Sequence, residues 1–227
     1  MGLFDNFFGK KNEPKKTKIL GKEYEINPEA MAQSQIGIDK YQLKDYSGAV
    51  AAFTEAINAQ PRNQNFYTMR GTAYEDMGND IEAEKDFRKT LDILPNDFVA
   101  AYRLGMVFFR KKDFENAIKW LKLSYDNAPG NDLEHIGLGK NNILFVAKKL
   151  IAGNLGNFLT QVKKYDEGFV YLDAAIKLDP NYPNPYMAKG LALAQTGKVK
   201  EGISYLEKAE KLGVGQASMI IQMLKNM

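Results

Sequence analysis

The chain has 227 residues, of which 44% are apolar and 26% are charged, a composition typical of globular proteins. It contains no cysteine, which excludes disulfide bonds, thiolate metal sites and cysteine nucleophiles. The net charge of +3 is concentrated in residues 1–22, which carry six lysines and two carboxylates, so the rest of the chain has a charge of about −1. This balance gives no reason to expect nucleic acid as a partner.

No apolar run in the sequence approaches the roughly 18 residues that a membrane-spanning helix needs. The short apolar start is followed by lysines and is not preceded by them, which is unlike a secretory signal. We therefore expect a cytoplasmic protein, which is peripheral to a membrane only if its amino-terminal arm binds lipid.

Residues 1–27 form an arm whose composition differs from that of the rest of the chain. Its first part combines large apolar residues on one face of a short helix with lysines that follow, a pattern typical of an amphipathic anchor on anionic lipid. The candidate membrane contacts are Leu3, Phe4, Phe7, Phe8, Lys10 and Lys11. The alternatives are a tail without a partner and a flap that docks on the body of the protein. Residues 18–26 favour a small hairpin or an extended arm.

The first predicted helix begins after Asn27, a favourable N-cap, with Pro28 at its first position. From there a pattern recurs along the chain, since Pro61, Pro95 and Pro129 stand at an equal spacing of 34 residues. A fixed period in this range indicates an array of structural repeats.

Two copies of the pattern, between residues 63 and 129, carry small and apolar residues at matching places. The copy that ends at Pro95 contains Tyr67, Gly71, Tyr74, Ala83, Phe87 and Thr90. The copy that ends at Pro129 contains Ala101, Leu104, Gly105, Phe108, Ala117, Leu121 and Ser124. Gly105 lies on the apolar face of a first helix and Ala117 on that of a second, so two helices can approach closely there. Each proline closes a second helix because it lacks an amide proton.

These residues resemble the tetratricopeptide repeat, a family whose unit is a pair of antiparallel helices with small residues where they cross. The resemblance implies an all-α fold, a right-handed α-solenoid of about five such helix pairs. Because one helix pair cannot bury its apolar face alone, stacked neighbours must form a continuous core. The expected repeats lie at about 30–63, 64–97, 98–129, 140–182 and 183–214.

The period breaks after Pro129. The next matching proline is Pro180, which lies 51 residues later and leaves 17 residues beyond one period. We place this insertion at 130–148 and expect Asn141 or Asn142 to cap a first helix that is extended by about two turns. Insertions in repeat proteins map to one face, which is often the binding face.

A capping helix is predicted at 215–227, where apolar residues lie around most of the helix circumference. They are Met219, Ile220, Ile221, Met223, Leu224 and Met227. We expect this helix to be well buried, and the alternative is that its spare methionines meet another chain.

No catalytic or metal-binding arrangement stands out in the sequence. The only histidine, His135, lies in a glycine-flanked stretch where a solvent-facing loop is expected. The acidic residues occur singly and not at the spacing of metal ligands. We therefore expect a non-enzymatic protein without a cofactor or metal.

In the tetratricopeptide family the first helices line a concave groove. The resemblance therefore implies that residues between the core positions of these helices face a protein or peptide partner. The predicted groove residues are Met69, Thr72, Tyr102, Arg103, Met106, Phe109, Arg110, Asn157, Met187 and Leu191, with Asn154 beside them. Aromatic residues and arginine are common interface anchors, and methionine adapts to varied apolar shapes. The alternative is that several of these residues pack on a neighbouring repeat or under the insertion.

One subset of the family grips the carboxylate tails of heat-shock chaperones with Lys, Asn, Asn, Lys and Arg. Here the corresponding places hold Ser34, Ile38, Met69, Val99 and Arg103, of which only Arg103 fits. We therefore expect no two-carboxylate clamp for chaperone tails.

The predicted function is that of a non-enzymatic adaptor or scaffold, which binds a peptide or helix of a partner protein in the groove. Its mixture of apolar residues and two arginines favours a ligand that carries apolar and acidic residues. The alternative function is a membrane-peripheral tether, in which the amino-terminal segment binds lipid and the solenoid recruits a partner.

Overall fold

The computed structural model describes residues 16–19, 22–25, 27–130, 144 and 146–226. The predicted membrane contacts Leu3, Phe4, Phe7, Phe8, Lys10 and Lys11 lie outside these ranges, as do His135, Asn141 and Asn142.

Within the described ranges, a short hairpin precedes eleven helices. The hairpin pairs β1 (Lys16–Ile19) with β2 (Lys22–Glu25) in antiparallel register, with Lys16 opposite Glu25. The helices are α1 (Pro28–Gln42), α2 (Tyr46–Ala59), α3 (Gln64–Asp76), α4 (Asp80–Ile93), α5 (Phe98–Arg110), α6 (Phe114–Asn127), α7 (Lys148–Gln161), α8 (Tyr165–Leu178), α9 (Pro183–Gln195), α10 (Val199–Lys211) and α11 (Gln216–Lys225). None of these helices is long and apolar enough to cross a membrane.

Consecutive helices form five pairs that stack into a solenoid. The pairs are α1–α2, α3–α4, α5–α6, α7–α8 and α9–α10, and each second helix also contacts the first helix of the next pair. The final helix, α11, packs on α10. The predicted all-α solenoid with a carboxyl-terminal capping helix is confirmed.

Polar side chains begin several of these helices. The Oδ1 atom of Asn27 accepts hydrogen bonds from the backbone amides of Glu29 and Ala30 at 3.0 and 3.2 Å. Asp97 and Asp113 cap α5 and α6 by accepting from amides in the first turn. These caps satisfy amides that the first turn of a helix leaves without an intrahelical partner.

The two helices of a pair touch through their backbones where they cross. A Cβ atom on Gly105 would lie 2.9 Å from Cγ of Leu121 and 3.2 Å from the carbonyl oxygen of Ala117. The fifth pair is tighter still, because a Cβ atom on Gly202 would lie 2.6 Å from the carbonyl oxygen of Gly190. A side chain at either glycine would therefore push the helices apart.

The core runs along the whole stack and repeats with the sequence. Each second helix contributes one large side chain that is completely buried at the same place of its repeat. These side chains are Phe53, Phe87, Leu121, Leu172 and Leu206. A continuous core of this kind means that each pair is stabilised by its neighbours.

Two largely buried cations also join adjacent repeats. Arg70 of α3 donates to both carboxylate oxygens of Asp86 in α4, at 2.8 and 2.7 Å, and to Oγ1 of Thr54 in α2 at 3.1 Å. Lys189 of α9 donates to Asp173 of α8 at 2.5 Å. Both cations thus bind a residue of the preceding pair.

The fourth pair begins later than predicted. Helix α7 starts at Lys148 with Ala147 at its N-cap and no side-chain cap, so the expected upstream extension does not reach residues 146 and 147. The Lys148 side chain instead fastens this end to α6, since it donates to the carbonyl of Ala128 at 2.9 Å and lies 4.6 Å from the ring centre of Tyr125. This attachment keeps α7 in the stack in spite of the insertion.

The capping helix is less buried than predicted. Ala217 and Ile221 are buried against α10, but Met219 and Met223 are 67% and 64% exposed. The reason is that α11 packs on one side only, so the methionines on its far side meet solvent.

Candidate functional site

The first helices of the five pairs lie on the inner side of the solenoid. Helix α3 contacts α5, and α7 contacts α9, across the intervening second helices. Such contacts between alternate helices mark the side on which the stack curves inward. The predicted groove residues lie on these helices. Some are buried, some are paired with carboxylates or packed on a neighbouring repeat, and the others are partly exposed.

The groove face of α3 is closed. Met69 is 8% exposed and Thr72 is completely buried, with its hydroxyl donating to the carbonyl of Thr68 at 2.8 Å. Met69 belongs to the apolar cluster of the first two repeats, and Leu144 of the insertion packs against the same cluster. In contrast to the expectation, Met69 and Thr72 therefore offer no free surface to a partner.

The two groove arginines are bound to carboxylates of the preceding repeat. Nη1 of Arg103 donates to Glu75 at 3.1 Å, and Arg110 donates to the other oxygen of Glu75 at 2.8 Å and to Asp80 at 2.7 Å. Nε of Arg103 is buried and has no acceptor in the described part of the chain. Two cations and two carboxylates cancel here, so this region attracts an acidic ligand only weakly.

Glu75 and Asp80 are the residues that sequence reasoning missed at this site. Glu75 precedes Arg103 by 28 residues and Asp80 precedes Arg110 by 30, which is close to one repeat. The signal in the sequence for this pairing was therefore an acidic residue about one period before each arginine. Because the prediction considered the arginines alone, it favoured an acidic ligand that the structure does not support.

Phe109 packs on the neighbouring repeat. Its ring stacks on that of Phe158 in α7, with centroids 3.8 Å apart and planes 1° from parallel. The ring of Phe114 packs on Phe109 in an edge-to-face arrangement, with the two ring centroids 5.8 Å apart. Phe109 thus joins the third pair to the fourth, which is the alternative that the sequence left open.

Polar and apolar side chains of α5 and α7 meet in the open part of the groove. Nδ2 of Asn154 donates to the hydroxyl of Tyr102 at 2.9 Å and lies 3.7 Å from Sδ of Met106. All three residues are partly exposed. Burial raises the pKa of Tyr102, so its hydroxyl is protonated at neutral pH.

The open surface continues onto the next helices. Asn157 lies one turn after Asn154 and is partly exposed, and its side-chain amide has no partner among the described residues. On α9, Met187 and Leu191 lie one turn apart, partly exposed and packed against the apolar cluster of the fifth pair. We name the surface of α5, α7 and α9 the neutral floor, and it consists of Tyr102, Met106, Asn154, Asn157, Met187 and Leu191.

The neutral floor contains no ionised group and no nucleophile with an adjacent base. Elsewhere in the described ranges, no cluster of three acidic or histidine side chains is arranged to hold a metal ion. The floor offers apolar side chains together with amide and hydroxyl groups that donate and accept hydrogen bonds.

Of the five positions that correspond to the chaperone-tail clamp, three are buried, Arg103 is paired, and Ile38 is a partly exposed apolar residue. Ser34 and Val99 are 4% and 5% exposed, and Met69 is covered as described above. Arg103, the one residue that fits the clamp, donates to Glu75. These positions therefore present no free cation.

Comparison with known proteins agrees with this architecture. Models of the tetratricopeptide repeat match residues 35–98 and 82–132, and also 151–182 and 183–212. The E3 ubiquitin-protein ligase CHIP of Arabidopsis thaliana is 29% identical over 99 residues, which cover 43% of this chain but only 36% of the ligase.

Two solved structures share the fold over most of the chain. MamA from residue 41 to its end, from Desulfovibrio magneticus RS-1, has a TM-score of 0.69 and 19% identity, covering 84% of this chain and 98% of that one. YrrB, described as a TPR protein with an unusual peptide-binding site, has a TM-score of 0.66 and 16% identity, covering 87% and 92%. At such identities the two structures bear on the fold alone. Together with the repeat models, which match both sides of the insertion, they lead to one conclusion: the chain belongs to the tetratricopeptide repeat family.

Proposed function

We propose that the protein is a non-enzymatic adaptor or scaffold that holds a peptide or a helix of a partner protein on the neutral floor. The observation that carries the proposal is the contrast along the groove. The floor on α5, α7 and α9 is partly exposed, whereas α3 is covered and the arginines are paired. We therefore infer that the docking site lies on this partly exposed stretch of α5, α7 and α9.

The chemistry of the floor indicates a ligand with apolar side chains and an accessible backbone. Met106, Met187 and Leu191 offer adaptable apolar contacts. The Asn157 amide can donate to a carbonyl and accept from an amide of an extended peptide at the same time. Asn154 holds Tyr102 in place and thereby keeps the aromatic ring in one position.

Similarity to named proteins supports the general role and not the details. YrrB is described as having a peptide-binding site, and CHIP is named as a ubiquitin ligase. Because this chain spans about a third of the ligase, the ligase activity of that protein is not part of the proposal.

The substitution Asn157→Arg tests the proposal, because it fills the floor without breaking a hydrogen bond of that side chain. Panning a phage-displayed library of random peptides against the wild-type protein supplies the ligands. The control is Val170→Arg on α8, which adds the same charge at a residue that is 65% exposed. We expect Asn157→Arg to weaken the selected peptides by more than about tenfold and the control to leave them unchanged.

The opposite outcome is equally clear. Peptides that bind wild type and Asn157→Arg equally well, with both variants folded by circular dichroism, would place the binding surface elsewhere on the molecule and contradict the proposal.

A further inference from the structure

The amino-terminal end of the solenoid exposes a stripe of α1. Ala32, Ile36, Asp39 and Leu43 follow one another at intervals of four, three and four residues, so they lie on one side of the helix. Ile36 is 44% exposed and Leu43, at the C-cap, is 80% exposed. We name these four residues the α1 stripe.

Three of these four places, those of Ala32, Ile36 and Asp39, are covered in every later first helix, whereas the place of Leu43 stays open, since its counterpart Met77 is 49% exposed. The counterparts of Ala32 are Phe66, Ala100, Ile151 and Pro185, all of them buried. The counterparts of Ile36 are Arg70, Leu104, Leu155 and Lys189; the two leucines are completely buried, and the two cations bind the preceding pair. The places of Ala32, Ile36 and Asp39 are therefore those on which a preceding element packs in the rest of the solenoid.

The other end of the solenoid is closed by the chain itself. Ala217 and Ile221 of α11 are 0% and 6% exposed, in a cluster with Leu206 and Ala209 of α10. End repeats need such a cover, because the outer face of the last pair otherwise meets water. Among the described residues, the two ends thus differ in whether the outer apolar face of the end pair has a partner.

We propose that residues 3–8 dock on the α1 stripe and close the amino-terminal end. Their position in the chain brings them close, since Lys16 of β1 pairs with Glu25 of β2, and Asn27 is the N-cap of α1. Residue 16 therefore lies within about 12 Å of the start of α1. The linker of residues 9–15 spans up to about 23 Å, which matches the length of α1, about 22 Å for its 15 residues.

The chemistry of the two surfaces is complementary. The spacing of Leu3, Phe4, Phe7 and Phe8 is that of one face of a helix, and the stripe offers apolar side chains beside the small Ala32. The charged member of the stripe is Asp39, whereas the charges that follow the apolar residues of the segment are those of Lys10 and Lys11. Burying large aromatic side chains against exposed apolar ones supplies the driving force.

Hydrogen–deuterium exchange of the α1 amides in the full chain tests this inference. We expect Phe4→Ser/Phe7→Ser, and separately Ile36→Glu, to speed exchange in α1 by about tenfold or more, because an uncovered end repeat opens more often. Combining the two sets of substitutions should add little, since both remove the same contact. Val170→Ser, on an exposed residue of α8, is the control and should leave α1 unchanged.

Three results would overturn the inference. The first is equal α1 exchange in wild type and Phe4→Ser/Phe7→Ser. The second is protection of α1 that disappears on dilution together with a dimer in sedimentation velocity, which would make a second copy the occupant. The third is binding of residues 3–8 to phosphatidylserine vesicles with no protection of α1 in their absence, which would make lipid the partner.

Discussion

Replacing Arg70 by leucine tests the buried ion pair of the second repeat. The side chains of Arg70 and Asp86 are 19% and 7% exposed. The counterparts of Arg70 in the third and fourth pairs are Leu104 and Leu155, so a leucine fits this place in the stack. Arg70→Leu therefore keeps the packing, removes the cation and leaves Asp86 buried without its ionic partner.

The magnitude follows from the cost of neutralising Asp86. Burial raises the pKa of this carboxyl even with Arg70 beside it, and removing Arg70 raises it further, toward the limit in which the carboxyl is protonated in the folded protein. Protonating a group with an ordinary pKa of about 3.9 costs roughly 1.4 kcal/mol per pH unit, or about 4 kcal/mol at pH 7. Breaking a buried pair costs about 3–5 kcal/mol in general, which is the same range.

The sign of the pH dependence is opposite to that of an ordinary salt bridge. A carboxyl whose folded pKa is raised lowers stability only as the pH rises above its unfolded pKa. At about pH 4.5 the cost of protonating Asp86 is therefore only about 1 kcal/mol. Arg70→Leu should lose about 3–4 kcal/mol of unfolding free energy near pH 7 and recover most of it near pH 4.5.

Urea unfolding followed by circular dichroism at the two pH values measures both losses. Arg70→Leu/Asp86→Ala should regain stability near pH 7, because it also removes the unpaired carboxyl. Arg88→Met is the control: Arg88 pairs with Glu84 but is 49% exposed, so its loss should cost less than about 0.5 kcal/mol. A loss below about 1 kcal/mol near pH 7, or an equal loss at both pH values, would refute the reasoning.

Two further predictions follow from local geometry. Gly202→Ala should lower the unfolding free energy by about 1–3 kcal/mol although alanine favours helices, because the carbonyl oxygen of Gly190 would lie 2.6 Å from the new Cβ. The control Gly215→Ala, in open space, should change the unfolding free energy by less than about 0.5 kcal/mol. Equal thermal stabilities of the two variants would contradict this prediction. Lys149 donates to Asp179 at 2.8 Å and holds the pKa of that carboxyl below its ordinary value, so Lys149→Met should raise the pKa of Asp179 in an NMR titration. The stability that the Asp179 carboxylate contributes is present above its ordinary pKa and is lost as the pH falls through the folded value. An unchanged pKa would assign the shift to the backbone amide of Asn181 instead.

The fold could be predicted because its determinants recur locally. Gly105 and Ala117 mark a helix crossing within one repeat, and Asn27 caps α1 through amides two and three residues away. The buried side chains of the second helices, such as Phe87 and Leu121, return after each period. Because these signals recur with the 34-residue period, they can be interpreted without knowing how neighbouring repeats pack.

The state of the groove could not be predicted in the same way. Periodicity indicates which side of a helix a residue occupies, but not which side chain of the next repeat meets it. Arg103 is paired with a carboxylate 28 residues earlier, and Tyr102 accepts from an amide 52 residues later, across the insertion. The exposure of residues at the ends of the array could not be predicted for a related reason. Met219 and Ile36 occupy places that are buried only where a neighbouring element packs on them.

The paired arginines restrict the kind of ligand that the groove can select. A carboxylate of a ligand that reached Arg103 or Arg110 would have to compete with Glu75, whose side chain is 10% exposed, so one ion pair would replace another with little gain. For the proposed peptide ligand, selectivity must then come from the shape of the neutral floor and from the Asn157 amide, and uncharged contacts of this kind are insensitive to ionic strength. An affinity that falls steeply with added salt would place the ligand on the charged rim around Asp76 and Arg110 and not on the floor.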